Sequence, residues 1–300
     1  MIATARKSVI WLFLLPALVF YTAFMAVPLF GSVVSSLFTG KSLIPNQFVG
    51  LQNFVDLFTA VPYKDRFFNA LLNNLKFFFF VCLFQNISGF VVAVLVTRRV
   101  PVFFRRISFL PTTLSVIVAG FLFSLFLNPI WGFVDSILKG VGLGFLVRSW
   151  LGDPRMALIV IALIVAWQYM GIPILFFAAT IDNIDVGIFD AARIDGASVM
   201  GIVRRIILPL SVPTIGTITI LTFIGNFTQF DIIYALASSN GDPAYSTDIF
   251  GTLFYRAAFG AYDRGGWGMG MGASVATIMF VVVLAGVLLW MRIFRSIRET

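Results

Sequence analysis

The 300-residue chain contains no histidine and a single cysteine, Cys82. Without histidine there is no His-based catalytic triad, and one thiol excludes both a disulfide within the chain and a Cys/His zinc site. Charge is equally scarce: Asp, Glu, Lys and Arg make up 11% of the residues, and only 13 are acidic. Soluble domains carry about 25% charged residues, so this chain lacks the means to wet a globular surface. What takes their place is apolar, with 60% hydrophobic residues, 35 phenylalanines and a mean hydropathy of +1.00. The formal charge of +8 does not point to nucleic acid, because the bases are interleaved with apolar stretches in the manner of loops flanking membrane spans.

The charges divide the sequence into blocks. No charged residue occurs over Ser8–Gly40, Phe77–Thr97, Ile107–Val134, Met156–Ile181, Ile206–Phe230 or Gly265–Met291. Each window holds at least 21 residues, and about 20 cross a hydrocarbon core of roughly 30 Å as a helix. Strands of a membrane barrel would be shorter and would alternate in polarity, which these windows do not. The expectation is an all-α membrane protein, one transmembrane domain over 1–300 with spans near 9–36, 73–97, 107–128, 157–181, 206–228 and 270–292. Lys and Arg set its orientation. With the N-terminus inside, the inner segments carry twelve bases (Arg6, Lys7, Arg98, Arg99, Arg105, Arg106, Arg193, Arg204, Arg205, Arg292, Arg295 and Arg298) on short loops and tails. The longer outer segments carry eight bases and eight aspartates, and Lys76 lies at the outer end of the second span, where its stem can snorkel. Both termini are expected to be cytoplasmic. The basic start and first apolar run resemble a secretory signal, but the run is too long and no small-residue cleavage site leads into a soluble domain.

Several motifs look chemical and are not. "TGKS" at Thr39–Ser42 has the end of a phosphate-binding loop, yet Ser35 stands where the first glycine is required and a membrane span precedes it in place of a strand. "GVGLG" at Gly140–Gly144 is a glycine-rich turn without strand and helix around it. Asp182, Asp185, Asp190 and Asp195 are spaced for helix starts and turns in a solvated loop, with no acid pair for catalysis or metal among them. No metal site or catalytic residue is expected.

The segment 184–205 is different. Asp185 is placed to cap a short helix with Ile188, Ala191, Ala192 and Ile194 on a small apolar face, "DGAS" breaks it at Asp195 and Gly196, and "VMGIVRRIILP" resumes as helix toward the membrane. Two short helices meeting at a bend form a knob on the inner face, and small side chains there let another protein approach closely. An amphipathic connector lying on the membrane is the alternative.

Asp190, Ala191 and Ala192, then Asp195, Gly196 and Ala197, then Ile206, Pro209 and Pro213 resemble the signature of the permease subunits of binding-protein-dependent ABC importers, in which the corresponding positions read E-A-A, D-G-A, I, P and P. Asp190 replaces the usual Glu, and Asp185 stands where Pro often begins the helix. The resemblance implies a cytoplasmic coupling helix between spans four and five, in which these residues with Arg193 dock into an ATPase subunit. It extends along the chain and is nearest the carbohydrate-type branch: "FVGLQNF" at Phe48–Phe54, "SWLGDPRMALIVI" before the fourth span, and "FTQFDIIYALASSNGDP" after the fifth, where the family's T-G-G-G-P turn is replaced by Ala237–Pro243. The implied partners are a second permease subunit, two ATPase subunits that hold ATP and Mg, an extracytoplasmic solute-binding protein, membrane lipid and a carbohydrate substrate. No cofactor is expected on this chain.

Polar residues inside the spans are expensive unless they face protein or water. Asn73, Asn74, Gln85, Asn86, Gln168, Tyr169, Asn226, Thr228 and Gln229 are of this kind. Amides, hydroxyls and aromatic rings suit a sugar's hydroxyls and ring faces, so Gln85, Asn86, Gln168, Tyr169, Asn226 and Gln229 are the candidate solute path. Hydrogen bonding between helices is the competing use of each. A self-sufficient secondary transporter or channel would be expected to carry an intramembrane Asp, Glu or Lys for ion coupling, and the six windows have none.

Overall fold

The computed structural model describes residues 7–40, 45–96, 107–260 and 267–299, with side chains from 11 to 294 within those ranges. Arg6, Arg98, Arg99, Arg105, Arg106, Lys41, Ser42 and Arg264 lie outside the described residues, as do the side chains of Lys7, Arg295 and Arg298. The chain forms two compact units, Met1–Asp65 with Phe254–Phe280, and Arg66–Leu253 with Val281–Thr300.

The described elements are helical apart from one short ladder. In the first unit, helix α1 (residues 7–35) is followed by strands β1 (Phe38–Thr39) and β2 (Gln47–Phe48), paired antiparallel with Phe38 opposite Phe48, and by helix α2 (Gln52–Thr59). Asn53 of α2 donates to the carbonyls of Ser36 and Phe38 at 2.8 and 2.9 Å, so one buried amide fixes the chain where it leaves α1. The apolar surface of α1 is exposed all round, from Trp11 through Phe30 to Val34. Such a helix is stable only against lipid or another apolar chain.

The remaining elements are α3 (Tyr63–Val96), α4 (Val116–Phe126), α5 (Phe133–Gly140), α6 (Ala157–Gln168), α7 (Gly171–Asp182), α8 (Val186–Ile194), α9 (Val199–Leu210), α10 (Val212–Phe227), α11 (Asp231–Ala237), α12 (Phe250–Phe259) and α13 (Met269–Glu299). Among the described residues, three helices are long and apolar enough to cross a membrane unaided: α1 over Trp11–Ser35, α3, and α13 over Met269–Phe294. The other three windows hold broken helices. A helical turn at Ile107–Thr113 meets α4 at 102°, α6 meets α7 at 51°, and α9 meets α10 at 60°; counting each bent pair as one span gives six.

Proline explains two of the breaks. Pro173 and Pro213 sit in the first turns of α7 and α10, where the missing N–H is harmless. In a continuous helix each would clash with the carbonyl four residues back and leave it without a donor. Elsewhere the helix absorbs proline by widening: π-turns at Thr22–Ala26 and Val203–Ile207 precede Pro28 and Pro209.

Among the described residues, two apolar clusters hold the second unit. One joins α3, α6 and α11 through Phe77, Val81, Ile161, Val165, Ile232 and Ile233; the other joins α3, α7, α8 and α10 through Ala93, Phe177, Ile181, Phe189 and Ile218. Where helices cross, small residues allow close approach. A Cβ at Gly89 of α3 would lie 2.6 Å from Cβ of Pro173, and one at Gly120 of α4 would lie 2.7 Å from Cβ of Ala235.

Candidate functional site

A cavity of about 530 Å³ opens between the two clusters, and Val165 of the first and Ile218 of the second both reach its wall. Its lining comes from α3, α4, α6, α7, α10 and α11, and the α6–α7 break places Tyr169 and Pro173 on the wall. The polar share of the wall consists of Gln85, Tyr169, Thr222, Asn226, Thr228, Gln229 and Asp231. Thr222 donates its hydroxyl to Oε1 of Gln85 at 3.0 Å, which fixes that amide. Asn226 donates to the Thr222 carbonyl at 2.7 Å, while its buried Oδ1 has no hydrogen-bond partner among the described residues. An acceptor held buried without a donor is costly unless something supplies one.

Four of the six candidate path residues, Gln85, Tyr169, Asn226 and Gln229, share this wall. Asn86 and Gln168 do not. Asn86 turns its amide back on α3, donating to the Cys82 carbonyl at 2.9 Å and Cys82 Sγ at 3.2 Å. Gln168 is fully buried, its side chain donates to the Leu114 carbonyl at 3.1 Å, and its backbone carbonyl accepts from Thr112 Oγ1 at 3.0 Å. It ties the end of α6 to the turn before α4. Asn73 and Asn74 are structural too, capturing the carbonyls of Tyr245, Asp248 and Asn226 and the N–H of Phe250.

Sequence reasoning passed over Thr222 and Asp231. Thr222 carried a signal in its place four residues before Asn226 on one helix face. Asp231 falls one residue beyond a charge-free window and was counted with the outer, solvated aspartates, as was Asp135, which is 3% exposed and accepts from Trp150 Nε1 at 2.9 Å.

The second candidate region is the bend at 184–205. Asp185 caps α8 by accepting from the Gly187 N–H at 2.7 Å. The helix ends in a Schellman arrangement: Ala197 N–H donates to the Ala192 carbonyl at 2.9 Å and Gly196 N–H to that of Arg193 at 3.0 Å. Gly196 has φ +76°, the left-handed conformation that glycine adopts without penalty. Ser198 then caps α9 by accepting from Gly201 N–H at 3.1 Å.

Along α8, Asp190 pairs with Arg193 at 3.0 Å, both exposed, an arrangement that contributes little. Ala191 and Ala197 are exposed and Ala192 half-buried, while Pro209 lies at the far end of α9 ahead of its bend. The small apolar face expected from Ile188 and Ile194 is open, with Ile194 at 85% exposure. What anchors the helix is Phe189, buried among Phe177, Ile181 and Ile218. Ile218 also lines the cavity, so one side chain is shared by the bend's support and the cavity wall.

Comparison with known proteins agrees with this architecture. Residues 85–297 match the family described as binding-protein-dependent transport system inner membrane component. The chain is 32% identical over 299 residues to a probable ABC transporter permease, YurN, of Bacillus subtilis (strain 168), covering 98% of both chains. It is 30% identical over 292 residues to the lactose transport system permease LacF of Rhizobium radiobacter, covering 96% of this chain and 94% of that one. Its fold superposes with a TM-score of 0.79 on a chain of a bacterial ABC transporter involved in importing the acidic polysaccharide alginate, at 23% identity and covering 97% and 96% of the two chains. With the match spanning most of its length and the overall fold in common, the chain belongs to the binding-protein-dependent transport system inner membrane components, the family of ABC-importer permeases.

Proposed function

We propose that the chain is the transmembrane subunit through which a sugar or related neutral solute crosses the membrane, and that the cavity is its path. The observation that carries this is the wall itself: amides and hydroxyls beside apolar and aromatic side chains, between helices broken at Tyr169 and Ser211. Its volume falls in the ~300–1,000 Å³ range of small-molecule sites. Lactose and arabinooligosaccharide permeases among the relatives support a carbohydrate as the solute. An extracytoplasmic binding protein delivers it, a second permease subunit covers the exposed α1 and completes the pathway within the lipid, and two ATPase subunits hold ATP and Mg. Asp190 to Ala197 is the coupling segment on which one of those ATPases acts.

The test is uptake by the assembled transporter. Gly225 lies on the wall, and a Cβ there would meet nothing within 4 Å, so Gly225→Leu projects into the cavity without a packing clash. This variant and Asn226→Ala should each lower uptake about tenfold or more, the loss of one or two good polar contacts or of the passage itself, with copurification of partners retained. Normal uptake in both would remove the cavity from the path.

Orientation is tested separately. Ser136 of α5 and Ser198 before α9 are both exposed. In intact cells an impermeant thiol reagent should label Ser136→Cys and spare Ser198→Cys in a Cys82→Ala background. Labelling of the second from outside would reverse the topology and remove the bend from the ATPase side.

A further inference from the structure

We propose that Asp231 makes the cavity selective by charge, admitting neutral sugars and cationic amino sugars and excluding anionic ones such as uronates and sugar phosphates. This rests on the reading of the cavity as the solute path and specifies what that path accepts. Asp231 is the one acidic side chain on the wall, and no Lys or Arg shares it. The residue is exposed, and among the described residues no base or hydrogen-bond donor engages its carboxylate. Half of the wall is apolar, from Val116 to Phe230, so no second charge on the wall offsets the field of this carboxylate in the cleft.

An unneutralised carboxylate in such a cleft does three things. It accepts charge-assisted hydrogen bonds from sugar hydroxyls, attracts an ammonium group, and repels a second carboxylate or a phosphate. The fold does not itself impose this preference, since it is shared with an importer of an acidic polysaccharide. Asp231 also stands in the first turn of α11, where a negative charge complements the helix dipole. That role would require a carboxylate but would give no discrimination between solutes.

The experiment uses the complete transporter in nanodiscs, with Cys82→Ala and Thr228→Cys placing one thiol on the wall beside Asp231. Rates of modification by a cationic trimethylammonium-ethyl and an anionic sulfonatoethyl methanethiosulfonate are each normalised to a free thiol. The cationic reagent should be favoured by about tenfold, the effect of one nearby charge on two oppositely charged reagents. Asp231→Asn should bring the ratio within about threefold of the free thiol and Asp231→Glu should preserve it, with only the monodisperse, assembled transporter fraction labelled, since unfolded chains would report the free-thiol ratio. A ratio near unity in the parent, or one unchanged by Asp231→Asn, overturns the proposal. Saturation-transfer NMR on nanodiscs retaining Thr228 then probes glucose, glucosamine and glucuronate, of which the first two should contact the protein and the third should not. Contact by glucuronate equal to that of glucose overturns the selectivity. Contact by none, with the reagent ratio intact, instead removes the sugar path on which the proposal rests.

Discussion

Sugar uptake is expected to be lost in Ala192→Arg and in Gly196→Val, although both chains still insert and pack. Ala192 is half-buried on α8 beside the exposed Ala191 and Ala197. A partner gripping this helix must approach within the reach of a methyl group, and an arginine there adds bulk and an unpaired charge to the contact, at a cost of about 1–3 kcal/mol. Gly196→Val acts through the backbone alone. Open space surrounds the position, but φ +76° is closed to β-branched residues, and forcing the angle costs about 1–3 kcal/mol or unwinds the Schellman turn. Either penalty corresponds to about tenfold to a hundredfold in ATPase association or coupled hydrolysis. Gly196→Asn should recover most of the loss, since Asn tolerates the left-handed region. Phe189→Ala should behave differently, retaining ATPase association while weakening the response of hydrolysis to substrate, because Phe189 joins the bend to Ile218 on the cavity wall. Copurification and substrate-stimulated hydrolysis measure both quantities. Wild-type values for Ala192→Arg and Gly196→Val would leave the segment a connector.

The second large effect is expected from Gly89→Leu, which should lower the melting temperature in detergent and reduce uptake severely. A Cβ at this position would lie 2.6 Å from Cβ and 3.0 Å from Cγ of Pro173, a ring that cannot rotate away. Overpacking of a helix crossing costs about 1–3 kcal/mol even where neighbours can shift, and here α7 must move, carrying Pro173 of the cavity wall with it. Pro173→Gly in the same chain should restore part of the stability by removing both Cβ and Cγ from the contact. Gly31→Leu is the contrast: nothing lies within 4 Å of a Cβ there, and the substitution should leave the melting temperature near that of the parent. Equal effects at both positions would mean that the α3–α7 contact is not close.

Much of this protein was legible because lipid is an unforgiving solvent. Six charge-free windows fix the helical class, since a charge at mid-membrane costs about 2.5–3.5 kcal/mol and an unpaired backbone group is costlier than any helix defect. Local chemistry was legible for the same kind of reason. Asp185 as a cap and Gly196 at a positive φ are decided within a few residues of themselves, and the structure has both. The prolines that break the fourth and fifth windows were visible as well, but hydropathy counts only the length of a window and is blind to the carbonyl that Pro173 or Pro213 leaves without a donor.

The division between wall and scaffold was not legible. Asn86, Gln168 and Asn226 are buried or half-buried amides of the same cost in lipid, and the sequence offers no means of ranking them. Which of them faces space depends on how far each helix is rotated about its axis and where its neighbour stops. All three donate their amide N–H to a carbonyl and keep a buried oxygen that no described residue satisfies; what separates them is place, since only Asn226 stands on the cavity wall. Asp231 shows the converse: a window edge places it outside, while the turn after α10 returns it to the cavity. The sequence by itself determined that the chain is helical and membrane-embedded and where its caps and turns lie, because those are settled by solvent and by neighbours along the chain. Only the tertiary structure decided which polar groups remain available to a solute, because that depends on which helices from elsewhere in the chain pack over each face and where they leave a cavity open.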